Sequence, residues 1–256
     1  MASIVDAFQE AFSEDLAYVK IVVFSIPVNF VVALFMQGKM DQFEFWGSIL
    51  GLFLLGLLTA GINNVRMNKK EILTFNPLHY LKSLGKTFVV VVPHILIFYN
   101  LGKLIINLVK MPTDVPYLPV IFKVVVWAIL FSIVFTSYLS FAKYLKMKEG
   151  YNYKAITESC IDVLIAFLVF LPQLLIANVV LVVPVAYLFW FFKQPFTHWG
   201  FIAYCCMVLI VNISMLSNYL AQCAYEQIKG NNEEYDENCQ IDMIVSANDM
   251  YQGDKK

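Results

Sequence analysis

Six long runs of apolar residues, separated by short polar segments, dominate the chain. The runs cover residues 19–37, 45–62, 87–109, 120–141, 161 to about 183, and 201–220. An α-helix rises about 1.5 Å per residue, so a hydrocarbon layer of about 30 Å requires a helix of about 20 apolar residues. The pattern therefore predicts an all-α fold, a polytopic membrane bundle of six transmembrane helices arranged as three hairpins.

The fifth run is ambiguous, because its apolar character continues to residue 192. Pro184 predicts a break in this run, and we expect the aromatic segment from Tyr187 to Phe192 to form a short interfacial piece at the headgroup boundary. Two alternatives stay open. In one, this segment belongs to a longer, tilted fifth span; in the other, the run contains two spans and the protein has seven.

Basic residues collect in alternate connections. The segments 63–86 and 142–160 are rich in Lys and Arg, whereas the other connections carry only Lys39, Lys110 and Lys193. Cytoplasmic loops of membrane proteins are enriched in Lys and Arg. We therefore expect a multi-pass protein of a prokaryotic inner or plasma membrane with both termini in the cytoplasm, and seven spans would conflict with this charge pattern.

Each predicted hairpin follows a polar or amphipathic segment on the basic side. In the first of these segments, residues 2–17, apolar side chains recur every four residues and indicate an amphipathic helix. The second begins at Asn76-Pro77, an N-cap residue followed by proline at the first helical position, and the third begins near Asn152. We expect these segments to be interfacial helices on the cytoplasmic side.

The first span of each hairpin contains an internal proline: Pro27, Pro93 and Pro172. Proline lacks the backbone N–H and kinks a helix, and the carbonyl four residues earlier must then find another donor in lipid. A polar side chain lies within two residues of each proline. These side chains are Asn29, His94 and Gln173. If the hairpins share a common axis, the three residues form a candidate intramembrane polar cluster; alternatively, each satisfies its own kinked backbone or pairs with a neighbouring helix.

His94 is the deepest ionisable side chain of the predicted spans. The unperturbed pKa of a histidine side chain is about 6.5, so a proton-relay role for His94 is one hypothesis. Without a second His, Asp or Glu at ligand spacing, a neutral hydrogen-bonding role is the more common one.

Phosphate-binding, HExxH, paired CxxC and GxSxG motifs are all missing from the sequence. We therefore predict no catalytic residue, no metal site and no cofactor, and the sequence leans away from an enzyme.

Composition agrees with a bilayer environment. Apolar residues make up 60% of the 256 residues and charged residues 14%, whereas soluble proteins have about 25% charged residues. The formal net charge of -1 gives no support for a nucleic-acid partner. We expect residues 1–230 to form the membrane domain with its N-terminal amphipathic helix, and the acidic residues 231–256 to form a disordered cytoplasmic tail.

Three segments together resemble a known group of proteins. They are GINNVR at residues 61–66, NPLHYLKSLG at residues 76–85 running into Thr87 and Pro93, and the spacing from Tyr144 to Ala155. In these features the chain resembles uncharacterised prokaryotic six-helix integral membrane proteins of the domain-of-unknown-function type. The resemblance implies a fold and a compartment, and it implies no activity or site residues.

Two functions from different classes are compatible with these observations. The first is a non-enzymatic scaffold, assembly factor or accessory subunit, whose partners are the lipid bilayer and another membrane protein or a second copy of the chain. The second is a small permease or channel with a polar path near Asn29, His94 and Gln173. The two hypotheses differ in one structural expectation, since a permease requires these three side chains to line a common cavity.

Overall fold

A computed structural model describes residues 4–14, 16–67, 72–109 and 117–228. These residues form seven α-helices and one 3-10 helix, Met147–Tyr151, and no strand occurs among them. The α-helices are α1 (Ile4–Ser13), α2 (Ala17–Met36), α3 (Met40–Arg66), α4 (Pro77–Leu108), α5 (Leu118–Tyr144), α6 (Tyr153–Phe191) and α7 (Trp199–Gln227). The tail 231–256 lies outside the described residues, so its predicted disorder stays a prediction.

Six of the helices, α2 to α7, are long and apolar enough to cross a membrane. This confirms the all-α polytopic fold. Helices α4 and α6 begin before their apolar runs because asparagines cap them: the Asn76 side chain accepts from the His79 N–H at 3.2 Å, and the Asn152 side chain from the Ala155 N–H at 3.4 Å. The expected second and third interfacial segments are therefore the first turns of α4 and α6.

The predicted break at Pro184 is wrong, because α6 runs without interruption from Tyr153 to Phe191 through both Pro172 and Pro184. The aromatic residues from Tyr187 to Phe191 are thus the end of the same helix, and Phe192 is its C-cap. The described residues contain six candidate spans, as expected, rather than seven. A proline removes one backbone hydrogen bond, whereas a break in lipid would leave several backbone groups unsatisfied. Continuing the helix is therefore the less costly solution.

The helices pack in a cyclic order that repeats with each hairpin. The second helices of the hairpins, α3, α5 and α7, contact one another at the centre. Each first helix lies outside, against its own partner and the inner helix of the preceding hairpin: α2 against α3 and α7, α4 against α5 and α3, and α6 against α7 and α5. The helices that carry Pro27, Pro93 and Pro172 are therefore the three outer ones, which make no substantial contact with one another.

One end of the bundle collects the segments that precede the outer helices, and it is called the basic end below. Helix α1 packs on α7 and the 3-10 helix packs on α5. In the connection before α4, the Ile72 carbonyl accepts from the Asn64 side chain of α3 at 3.1 Å. The Lys86 ammonium donates to the Leu145 carbonyl at 3.1 Å and ties the start of α4 to the end of α5.

A buried carboxylate fixes the N-terminal helix to this end. Glu14, between α1 and α2, forms an ion pair of 3.2 Å with Lys20, and both side chains are almost fully buried. Its carboxylate also accepts from the backbone N–H groups of Ile72, at 2.6 Å, and Leu73, at 3.3 Å. Burial raises the pKa of Glu14 above its ordinary value, against the opposing effects of the Ile72 N–H and Lys20. The ionised carboxylate therefore depends on all of these partners.

Polar pairs also join the third hairpin inside the apolar region. The side-chain amides of Asn178 in α6 and Asn212 in α7 donate to each other at 3.1 and 2.7 Å. The Tyr204 hydroxyl of α7 donates to the Leu181 carbonyl of α6 at 2.7 Å. Such bonds stabilise helix pairs in lipid, where hydrophobic burial gives no driving force between helices.

Candidate functional site

The three polar residues next to the prolines lie in different surroundings. The Asn29 side chain donates to the Ser25 carbonyl of its own helix at 3.0 Å. His94 is fully buried, and Gln173 is half-buried on α6. No hydrogen bond joins any two of these side chains in the described part of the chain, so the common cluster stays a prediction. The candidate site is the set of residues around His94, because its side chain is the fully buried one of the three.

The backbone around Pro93 meets a donor from another segment. Because Pro93 has no N–H, the Val89 carbonyl loses its helical partner. The Tyr151 hydroxyl, at the end of the 3-10 helix, donates to this carbonyl at 2.7 Å. The expectation that a proline-freed carbonyl finds another donor is therefore confirmed for Pro93.

His94 lies at the centre of a hydrogen-bond chain between α4, α5 and the 3-10 helix. Its Nδ1 is 2.6 Å from the Val90 carbonyl, and its Nε2 is 3.2 Å from Ser137 Oγ. The Ser137 hydroxyl in turn donates to the Gly150 carbonyl at 2.6 Å. We call Pro93, His94, Ser137, Gly150 and Tyr151 the Pro93 junction.

Close packing holds the same junction together. The ring of Tyr151 stacks on the His94 imidazole with centroids 4.9 Å apart, and the Tyr153 ring lies 5.7 Å away. A Cβ on Gly150 would lie 2.5 Å from the Val90 side chain. Only glycine therefore lets the 3-10 helix approach α4 this closely.

The Ser137–His94 pair of this junction is buried inside the bundle. Ser137 and His94 are within hydrogen-bond distance, as a nucleophile and its base would be. However, both are at least 99% buried, and the serine hydroxyl already donates to Gly150. Among the described residues, no group of three or more His, Cys, Asp or Glu side chains is placed to hold a metal ion. The arrangement joins three segments of the chain, namely α4, α5 and the 3-10 helix.

Other buried hydroxyls connect the inner helices to α4. Thr59 of α3 lies 3.0 Å from the Tyr138 hydroxyl of α5, and the Thr87 hydroxyl of α4 donates to Thr59 at 3.3 Å. Nearer the basic end, the Asn63 side chain of α3 donates to the Lys143 carbonyl of α5 at 3.3 Å. Three helices are thus linked through their polar side chains inside an apolar bundle.

The sequence did not point to Ser137, Gly150 or Tyr151. The sequence did give one usable signal: Pro93 has no N–H, so the Val89 carbonyl needs a hydrogen-bond donor from elsewhere in the chain. The donor lies 62 residues further along the chain, and only the packing order of the helices brings it to Pro93. A local pattern cannot reveal such a pairing.

Replacing Tyr151 with phenylalanine is expected to destabilise the protein by about 1 kcal/mol, because the Val89 carbonyl loses its donor while the ring stays in place. Thermal unfolding in detergent measures the change. Tyr153→Phe is the matched control, since its ring also lies beside His94 and no hydrogen bond of its hydroxyl is found in the described part of the chain. Equal stability of the two variants would contradict the role assigned to Tyr151.

Comparison with protein-family models, curated proteins and solved structures finds no match to this chain. The resemblance to six-helix membrane proteins of unknown function therefore stays an expectation. A role for this membrane protein has to be inferred from its own side chains.

Proposed function

We propose that this protein is a non-enzymatic component of the membrane, a scaffold, assembly factor or accessory subunit that acts through its outer surfaces. The supporting observation is the engagement of its interior polar groups. Thr59, Thr87 and Tyr138 bond one another across three helices, and His94 and Ser137 join α4 to α5 and the 3-10 helix. Since these interior groups already bond to one another, we infer that the outer surfaces of the bundle make the interactions with partners.

The geometry gives less support to a permease or channel. A solute path requires polar side chains that face a common space. Asn29, His94 and Gln173 lie on the three outer helices, and the hydrogen bonds of Asn29 and His94 go to their own helices and to Ser137. Nothing in the described residues directs all three toward one cavity.

Orientation follows from charge, and we infer that the basic end faces the cytoplasm. Arg66, Lys86, Lys146 and Lys154 lie in or beside the connections at this end, and cytoplasmic connections are enriched in such residues. Helix α1 lies at the same end, so a cytoplasmic or membrane-embedded partner could reach it.

Gentle purification from the native membrane, followed by native mass spectrometry and by flux assays in liposomes, tests this function. We expect an assembly of defined stoichiometry heavier than the single 29.3 kDa chain, containing a membrane protein or a second copy. We also expect no flux of ions or small polar solutes above that of protein-free liposomes. A lone chain, or a protein that conducts a solute, would contradict the proposal.

A further inference from the structure

The hydrogen-bond chain through His94 ends on a carbonyl oxygen at each side, and a carbonyl oxygen can only accept. His94 Nδ1 is 2.6 Å from the Val90 carbonyl oxygen, so Nδ1 carries a proton. Ser137 Oγ is 2.6 Å from the Gly150 carbonyl oxygen, so the single hydroxyl proton of the serine points there. Ser137 Oγ therefore offers only lone pairs to His94 Nε2, which lies 3.2 Å away.

Neither neutral form of the imidazole satisfies this chain. With a proton on Nδ1 alone, the lone pair of His94 Nε2 faces a lone pair of Ser137 Oγ. With a proton on Nε2 alone, the lone pair of Nδ1 faces the Val90 carbonyl oxygen at 2.6 Å. An imidazolium carries an N–H on both nitrogens, and this form alone satisfies every bond of the chain. The arrangement therefore fits the charged state of His94.

A neutral ring can be satisfied only at the expense of the 3-10 helix. If His94 has no Nε2 proton, the Ser137 hydroxyl can turn and donate to Nε2. The Gly150 carbonyl then loses its donor, and no other hydrogen bond to this oxygen is found in the described part of the chain. Gly150 is buried, where an unpaired carbonyl is costly. One proton on His94 therefore decides whether α5 holds the end of the 3-10 helix.

Three aromatic rings lie around the imidazole. The Tyr151 ring stacks on it with centroids 4.9 Å apart, and the rings of Tyr153 and Phe98 lie 5.7 and 6.1 Å away. A cation within about 6 Å of an aromatic centroid is attracted by the negative face of the ring. Charge is costly in hydrocarbon, and these rings offset part of that cost for a protonated His94. Two of them come from the 3-10 helix and the start of α6, so the charge also favours the docking of these segments on α4.

The other titratable groups near the junction are few. The phenols of Tyr151 and Tyr153 belong to the rings that face His94. The 3-10 helix and the first turn of α6 also carry charged residues, namely Lys148, Glu149 and Lys154. No ion pair joins His94 to any of them among the residues that the structure describes. Acceptor oxygens and aromatic rings, rather than a carboxylate, therefore surround the imidazolium.

The helices that pack around His94 bring no further charge to its level. Residues 45–65 of α3 and 124–142 of α5 contain no Asp, Glu, Lys, Arg or His. On α4, His94 is the only residue of these five types between positions 87 and 102. A change of pH therefore acts on the junction through His94 itself.

We infer that His94 is a proton-sensitive latch for the connection between the second and third hairpins. In the protonated state, Nε2–H donates to Ser137, Ser137 donates to Gly150, and the 3-10 helix stays docked on α4 and α5. Loss of the Nε2 proton to water removes one bond of this chain and loosens the 3-10 helix. Acidic conditions thus tighten the connection and alkaline conditions loosen it. The inference does not depend on the scaffold role proposed above.

Nitrogen NMR of the full chain with isotope-labelled histidine measures the protonation state directly. The two ring nitrogens have similar shifts in an imidazolium and well-separated shifts in a neutral ring. Variants at His79 and His198 assign the signals of the other two histidines. We expect His94 to carry two ring protons at about pH 5 and to lose the Nε2 proton by about pH 8. A protonation state that stays the same over this range would overturn the proposal.

Hydrogen exchange in residues 147–151 tests the structural consequence. After correction for the intrinsic pH dependence of exchange, protection should fall about ten-fold between about pH 5 and about pH 8, the change expected for one lost hydrogen bond. His94→Gln cannot titrate, so its protection should be the same at both pH values. His198→Gln is the control, because it removes an exposed histidine at the start of α7 and should keep the wild-type pH dependence. An equal pH dependence in the wild type and in His94→Gln would overturn the proposal.

Ser137→Ala tests the assigned link without altering the histidine. This variant removes the hydroxyl between His94 Nε2 and the Gly150 carbonyl. We expect low protection of residues 147–151 at both pH values, while the NMR signals of His94 still change with pH. If the variant keeps the wild-type, pH-dependent protection, Ser137 does not connect the proton to the 3-10 helix and the latch is wrong.

Discussion

Replacing Glu14 with alanine is expected to cost about 3 kcal/mol of stability, because it removes the carboxylate that forms a buried ion pair with Lys20. Lys20 is 2% exposed and cannot easily regain water. The backbone N–H groups of Ile72 and Leu73 would also lose their acceptor. We therefore expect α1 and the connection before α4 to become mobile together.

Hydrogen exchange measured by mass spectrometry separates this local effect from general loss of folding. In the Glu14→Ala variant, exchange should rise in α1 and around residue 72 before it rises in α6. Glu158→Ala, at an exposed position, is the control. Adding Lys20→Met to the Glu14 variant should recover part of the stability, since it removes the buried ammonium. If hydrogen exchange in α1 is the same in the Glu14→Ala variant as in the wild type, Glu14 does not anchor this helix.

Replacing Gly61 with alanine is expected to destabilise the bundle by about 2–3 kcal/mol through overpacking. Its new Cβ would lie 2.5 Å from Ser217 Oγ and 2.9 Å from Ser217 Cβ. Gly61 lies on α3 and Ser217 on α7, two of the inner helices, so the clash cannot be relieved by moving an outer helix. Thermal unfolding in detergent measures the loss.

Two further variants test the cause of that loss. Gly51→Ala on the same helix should leave stability unchanged or slightly higher, because nothing lies within 4 Å of its added Cβ. Adding Ser217→Gly to Gly61→Ala should restore most of the loss, since it removes both clashing atoms. If Gly51→Ala and Gly61→Ala lose stability equally, close approach of α3 and α7 is not the reason.

Much of the fold follows from hydropathy, because hydrocarbon requires long uncharged helices. The positions of the six spans could be predicted for this reason, whereas the cap at Asn76 could be predicted from the Asn-Pro pair itself. Pro184 misled the prediction, since a proline that ends a helix in water is tolerated inside one that lipid forces to continue. A prediction from the local sequence pattern does not distinguish a proline in water from a proline in lipid.

The site was predicted less completely than the fold. The carbonyl that Pro93 leaves without a helical partner was predicted to need a donor, and it has one; His94 was named only as a candidate polar residue. Their partners Ser137 and Tyr151 come from the next hairpin, and only the cyclic packing of the inner and outer helices brings them together. The expected cluster of Asn29, His94 and Gln173 depended on hairpins arranged around a common axis, and it stays a prediction; the three residues lie on the three outer helices.

Cysteine labelling from each side of the membrane tests the six-span account most directly. In a background without the five native cysteines, single cysteines are placed at Gln9, Lys148, Gly38 and Gln194, and an epitope tag follows the last residue. We predict that Gln9, Lys148 and the tag are reached from the cytoplasmic face, and Gly38 and Gln194 from the opposite face. Access to Gln9 and the tag from opposite faces would contradict an even number of spans.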